Sequence, residues 1–169
     1  SSGKVLSEIE RKTTKGCKMR FQVDPNKPSE QSEGKTIEWN GGCKNGYVHG
    51  KGEVKILASN GHRIVYKGEI LEGREEGYGT TEFVRTDGKK VFLSGIKQRG
   101  FVQGDGRMSV IDSSGKTVVV YTGNFIDDRP VGRGEMEFQD GVIYQGDVVN
   151  LVPHGVGKFV YPNGSLYEG

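Results

Sequence analysis

A chain of 169 residues with 28 glycines, 5 prolines and 33% apolar residues is most economically one domain. It is thinner than a compact globule, and unlike a flexible linker or collagen. The formal charge of +2 comes wholly from the first 38 residues, where eight Lys/Arg meet six Asp/Glu; from Trp39 onward sixteen basic residues balance sixteen acidic ones. That balance argues against nucleic acid, which needs clustered basic charge. It also weakens the case for an anionic membrane surface. No run approaches the roughly 18 apolar residues of a spanning helix.

Residues 1–38 carry no repeat and read as an N-terminal cap on the first hairpin. Residues 5–9 predict a short helix and residues 19–23 a strand, followed by Pro25, Pro28 and a polar run over 29–34. Cys17 and Cys43 lack any Cys/His spacing suited to zinc. Two free buried thiols or a disulfide both satisfy the sequence, and the disulfide is preferred. It would staple the N-terminal arm to the first ordered unit and stabilise by about 3–3.5 kcal/mol in the chain-entropy picture. An oxidising compartment would be implied by it; reduced cysteines would instead suit the cytoplasm.

From Trp39 the chain repeats. The doublet G-x-G occurs as Gly50/Gly52, Gly77/Gly79, Gly104/Gly106, Gly132/Gly134 and Gly155/Gly157. Nine residues before each doublet stands another glycine: Gly41, Gly68, Gly95, Gly123 and Gly146. Two residues before those are Trp39, Tyr66, Leu93, Tyr121 and Tyr144, and a sixth copy starts at Tyr167-Glu168-Gly169. Further glycines come after Asn60, Asp87, Ser114, Asp140 and Asn163. Asn-Gly and Asp-Gly predict type I′ hairpin tips, whose two central residues need positive φ. Apolar residues alternate after the doublets, as in Met108/Val110, Met136/Phe138 and Phe159/Tyr161, which predicts strands with one buried face. The interval from G-x-G to tip is nine residues in the first three copies and seven in the last two, so the first three hairpins should project further. No single hairpin is stable alone, but a row of them is.

The pattern Y-x-G-x-φ-x5-H-G-x-G resembles the MORN repeat (membrane occupation and recognition nexus). Its clearest copies are Tyr144-Gln145-Gly146 with His154-Gly155-Val156-Gly157, and Trp39-Asn40-Gly41 with His49-Gly50-Lys51-Gly52. Copies two and three depart from it: Glu76 and Gln103 replace the histidine, and Leu93 replaces the tyrosine. The resemblance covers residues 39–169 as the repeat domain, leaving 1–38 as the N-terminal cap. It implies an all-β fold, an elongated single-layer twisted antiparallel meander of β-hairpins with an aromatic-rich concave face. It also implies a scaffold or docking platform, in some members a dimerisation unit or a companion of catalytic domains. The run from Gly16-Cys17 to Trp39-Asn40-Gly41-Gly42-Cys43 is similar to bacterial exported members. That likeness supports the Cys17–Cys43 disulfide and a periplasmic or secreted setting.

Nothing in the chain predicts catalysis. Nucleophile-elbow, Walker and H-E-x-x-H motifs are absent, and the G-x-G doublets lack the third glycine and helix of a dinucleotide site. No cofactor or metal is expected; His49 and His154 share a repeat slot, and Glu75-Glu76 and Asp127-Asp128 read as solvated carboxylates. Tyr66, Phe83, Tyr121, Phe138, Tyr144 and Tyr161 are expected to be largely core but to line an apolar trough. An extended peptide or amphipathic helix of another protein would suit that trough. Replacing Tyr121 or Tyr144 with Ala should then abolish binding and leave the melt intact. The strand edge at the C-terminus is a candidate for self-association. The function expected is a non-catalytic protein-interaction scaffold. The alternatives are a peripheral phospholipid-binding module and a regulatory repeat domain of a larger enzyme.

Overall fold

The computed structural model describes residues 5–26 and 35–169; Pro28 and the polar run at 29–34 lie outside them. Among the described residues there are fourteen strands and no helix. In chain order these are β1 (Ser7–Lys12), β2 (Lys18–Val23), β3 (Thr36–Trp39), β4 (Gly42–Lys44), β5 (Tyr47–Leu57), β6 (Arg63–Leu71) and β7 (Arg74–Val84). Then come β8 (Lys90–Gln98), β9 (Phe101–Ile111), β10 (Thr117–Ile126), β11 (Arg129–Phe138), β12 (Ile143–Val149), β13 (Val152–Val160) and β14 (Leu166–Glu168). One open sheet runs β1-β2-β5 and then consecutively to β14. Every pairing is antiparallel except a single parallel bridge between Lys18 of β2 and Tyr47 of β5. β3 and β4 both pair with β5, so they act as one strand interrupted at Asn40-Gly41.

Residues 5–9 do not form the expected short helix. Ile9 pairs with Phe21 in a β1–β2 hairpin closed over Thr13–Gly16, whose Gly16 takes φ 92°. A segment that short gains too few helical hydrogen bonds to offset nucleation, whereas β2 supplies a ready partner strand. The strand expected over residues 19–23 is present within β2.

The hairpin docks on the rim of the first repeats. Met19 packs with Val48 and Ile70, and the Arg20 N–H donates to the Gly73 carbonyl at 2.8 Å. Arg74 grips Glu8 through two hydrogen bonds of 2.7 Å. Those bonds hold the Glu8 carboxyl below its ordinary range. The Arg20 guanidinium lies 3.7 Å from the centre of the Tyr47 ring. A disulfide joins Cys17 to Cys43 with Cα atoms 6.2 Å apart. It ties this hairpin to β4 and is compatible with an oxidising compartment.

Two turn types alternate along the sheet's two rims. At the far rim Gly61, Gly88, Gly115, Gly141 and Gly164 have φ of 85–89°, and the residue before each does not. The Gly61 N–H donates to the Ala58 carbonyl at 3.0 Å, and the Ala58 N–H to that of His62 at 2.9 Å. That is a three-residue loop with a bulged glycine, not the type I′ turn expected there. Asn60, Asp87, Asp140 and Asn163 serve differently: each side chain accepts the N–H two residues on. The type I′ geometry sits at the near rim instead. Asn45-Gly46, Glu72-Gly73, Arg99-Gly100, Asp127-Asp128 and Asn150-Leu151 have positive φ at both residues. Only the first pair advertises that conformation in its residue types; in the others the two-residue connection between twisted strands demands it.

β5, β7 and β9 run five residues past the last glycine of their doublets, β11 four and β13 three. The sheet is therefore taller over its first three repeats, in the sense the glycine-to-tip intervals predict.

Candidate interaction face

The repeating glycines meet one another. Cross-strand partners run Gly52–Gly68–Gly79–Gly95–Gly106–Gly123–Gly134–Gly146–Gly157, one unbroken row across nine strands. Gly169 continues it by exchanging two backbone hydrogen bonds with Gly157. Just nearside of the row the register slips once per repeat, after Gly68, Gly95, Gly123 and Gly146.

Two residues farther along each strand lies a second row. It runs Trp39, Val54, Tyr66, Thr81, Leu93, Met108, Tyr121, Met136, Tyr144, Phe159 and Tyr167. The large rings of this row lie across the glycines. A Cβ on Gly68 would stand 2.5 Å from the Tyr66 hydroxyl oxygen, and one on Gly79 2.5 Å from the same ring. Tyr121 covers Gly123 and Gly134 in this way, Tyr144 covers Gly146 and Gly157, and Trp39 covers Gly41 and Gly52. Each ring then reaches the carbonyl three residues ahead, at the register slip. The Tyr66, Tyr121 and Tyr144 hydroxyls donate to Glu69, Asn124 and Asp147 at 2.9, 2.9 and 2.7 Å. The Trp39 indole N–H does the same to Gly42 at 2.8 Å. So the spacing Y-x-G encodes a ring, a place to lay it, and an acceptor for its polar tip. Leu93 is too short for this, and Val102 and Phe125 approach Gly95 and Gly106 in its place.

Near-rim residues close over the rings. Val48 and Ile70 join Tyr66 in one cluster, and Val102, Phe125 and Val148 join Tyr121 and Tyr144 in another. Phe125 meets Tyr121 edge-on at 5.3 Å. The exposures that result are 0% for Tyr66, 0% for Tyr121 and 2% for Tyr144. These tyrosines are core, and no partner could touch them without displacing the near rim. The expectation that their removal leaves the melt intact is thereby corrected.

The other candidates lie farther out. Phe83 and Phe138 are half-buried and Tyr161 is exposed. Phe83 and Phe138 belong to a third row, Ile37–Ile56–Ile64–Phe83–Val91–Val110–Val119–Phe138, paired without a gap from β3 to β11. Tyr161 stacks near Phe159 at 6.5 Å. At β14, Leu166 and Tyr167 are exposed, and among the described residues that strand pairs with β13 alone.

The histidine slot has a structural role. His49 Nδ1 accepts the Glu72 N–H of the near-rim turn at 3.1 Å. The replacements do likewise: Glu76 accepts the Arg99 N–H and Gln103 the Asp127 N–H, each at 3.1 Å. Glu76 and Gln103 therefore keep an acceptor in the slot, whereas the fourth copy has Val131 there and the Asn150 N–H goes to the Pro130 carbonyl instead. His49→Gln should leave stability unchanged, while His49→Ala should cost about 1 kcal/mol; urea unfolding of both variants checks this.

The adjacent carboxylates are not simply solvated. The Glu75 side chain is only 14% exposed and bonded to Lys97, and loss of solvent pushes its carboxyl up against the opposing pull of that ammonium. Asp128 accepts the Val102 N–H at 2.6 Å, and burial raises it too. Asp127 bonds the Gln103 amide. Among the described residues no cluster of His, Cys, Asp and Glu has the makings of a metal site.

The MORN repeat family model matches residues 66–85, 121–143 and 144–166, segments that begin at Tyr66, Tyr121 and Tyr144. The unmatched copies are those led by Trp39 and Leu93, and their Gly52, Gly95 and Gly106 occupy the same row. No curated protein matches the chain. MORN repeats generally mediate contact with proteins or membranes and are generally non-catalytic. With matched segments and glycine row coinciding, the chain belongs to the MORN-repeat proteins.

Proposed function

We propose that this protein is a non-catalytic scaffold that docks another protein along its third row, from Ile56 to Phe138. The observation that carries this is continuity. Five members of that row (Ile64, Phe83, Val91, Val110 and Phe138) are half-buried, and they belong to an apolar file paired strand by strand. An apolar file of that length suits an extended peptide or one face of an amphipathic helix. The tyrosines support it from beneath and do not touch the partner. The disulfide supports work in an oxidising compartment, periplasmic or extracellular.

Neighbouring residues of β8 provide the test. Val91 belongs to the file, whereas Phe92 lies on the opposite face with 38% exposure. Affinity capture from the native source should lose its partner with Val91→Lys and keep it with Phe92→Lys. Equal capture by both variants would refute docking on this file. Co-sedimentation with anionic liposomes, falling as salt rises, would favour a membrane instead.

A further inference from the structure

The apolar pattern of the repeat is broken at three slots, and the three residues find one another. Before the histidine slot stand Val48, Glu75, Val102, Pro130 and Pro153. Two residues past the doublets stand Val54, Thr81, Met108, Met136 and Phe159. Two residues past the Y-x-G glycines stand Cys43, Ile70, Lys97, Phe125 and Val148. The polar exceptions are Glu75, Thr81 and Lys97. Lys97, 3% exposed, donates from Nζ to Glu75 at 2.9 Å and to Thr81 Oγ1 at 2.6 Å. The same ammonium lies 4.6 Å from the centre of the Tyr66 ring.

This polar knot sits where the core divides. One apolar cluster draws on β2, β3, β5 and β6, the other on β8 to β13, and β7 contributes to neither. In a stacked array each unit is held only by its neighbours, so a junction that neither buried cluster crosses, with apolar pairing on the core face only at half-buried Phe83, is where cooperativity can break. A buried ion pair is a poor substitute for apolar contact while both partners are present. Once one partner is removed, it becomes strongly unfavourable.

We propose that the sheet is two separately cooperative blocks, latched across β7 by the Glu75–Lys97 pair. The block before β7 holds the cap, the disulfide and Trp39; the block after it holds Tyr121 and Tyr144. β7 is thus a built-in line of opening within the apolar docking file, whether or not a partner uses that file.

Trp39 is the chain's single tryptophan, so its fluorescence in urea reports the first block. Amide exchange in β10–β12 reports the second. In the native protein the two transitions should coincide. In Glu75→Gln and Lys97→Met they should part, with amide exchange in β7 and β8 rising roughly a hundredfold or more, as an uncompensated buried partner implies. The double variant Glu75→Val, Lys97→Ile restores the residue types of the other repeats and should bring the transitions back together. Coincident transitions in the single variants would overturn the proposal, as would a double variant still split like the singles. Should the singles fail to fold, a double variant folding in one transition supports the latch, and one that also fails to fold overturns it.

Discussion

Tyr121→Ala should destabilise the protein by about 3–5 kcal/mol, the range for emptying an aromatic site in a core. The melting temperature should fall by roughly 10 °C or more for a chain of this size. The ring has no exposed surface, touches Phe125 edge-on and underlies two glycines, so little can collapse into the space it leaves. Tyr121→Phe keeps the ring and loses only the bond to the Asn124 carbonyl; about 1 kcal/mol is expected. Calorimetry on the pair separates the two contributions. An alanine variant melting with the native protein would show that the ring is not core. Loss of a partner in Tyr121→Ala would report unfolding, which is why the docking test uses Val91 and Phe92.

Gly134→Ala comes next in size. The backbone there is not in the left-handed region, so the obstacle is space alone. An added Cβ would lie 2.6 Å from both Cζ and the hydroxyl oxygen of Tyr121, a ring that cannot retreat. Overpacking of this kind costs about 1–3 kcal/mol, occasionally more. Gly42→Ala is the control, because nothing lies within 4 Å of its Cβ position and β4 is exposed there; its effect should stay within about 0.5 kcal/mol. Shortening the ring should relieve the clash, because the atoms nearest that Cβ position all belong to Tyr121. Gly134→Ala should therefore cost less in a Tyr121→Leu background than alone, measured as a non-additive double-mutant cycle. Additive losses would show that the ring and the glycine do not meet.

Both effects rest on a feature the repeat spacing displays openly. Glycines nine residues apart with an aromatic two residues earlier were legible in the sequence as hairpins in register. The family model finds the copies led by Tyr66, Tyr121 and Tyr144, and the structure adds Trp39 by the same hydrogen bond from another ring. The candidate face was legible only in part. Alternation placed Phe83, Phe138, Tyr66 and Tyr121 on one side of the sheet, but it could not show that near-rim residues cover the tyrosines and leave the phenylalanines half open. That cover comes from Val48, Ile70, Val102, Phe125 and Val148, which the register slip turns toward the rings. Turn chemistry misled for a related reason: Asn60-Gly61 and Asp87-Gly88 carry the type I′ signature but sit in three-residue loops, while Asp127-Asp128 and Asn150-Leu151 adopt type I′ without it.

The sequence by itself determined the repeat, the all-β fold and the order in which hairpins pair. Strand alternation and glycine placement act over a few residues and recur five times, so their signal accumulates. Only the tertiary structure decided which aromatic is core and which is reachable. It also decided that Glu76 and Gln103 stand in for a histidine as acceptors, and that Glu75, Thr81 and Lys97 meet at one junction. Burial and charge pairing belong to a residue's neighbours in space. Here those neighbours are brought in from adjacent strands and from the next turn along the near rim, beyond the reach of any local pattern.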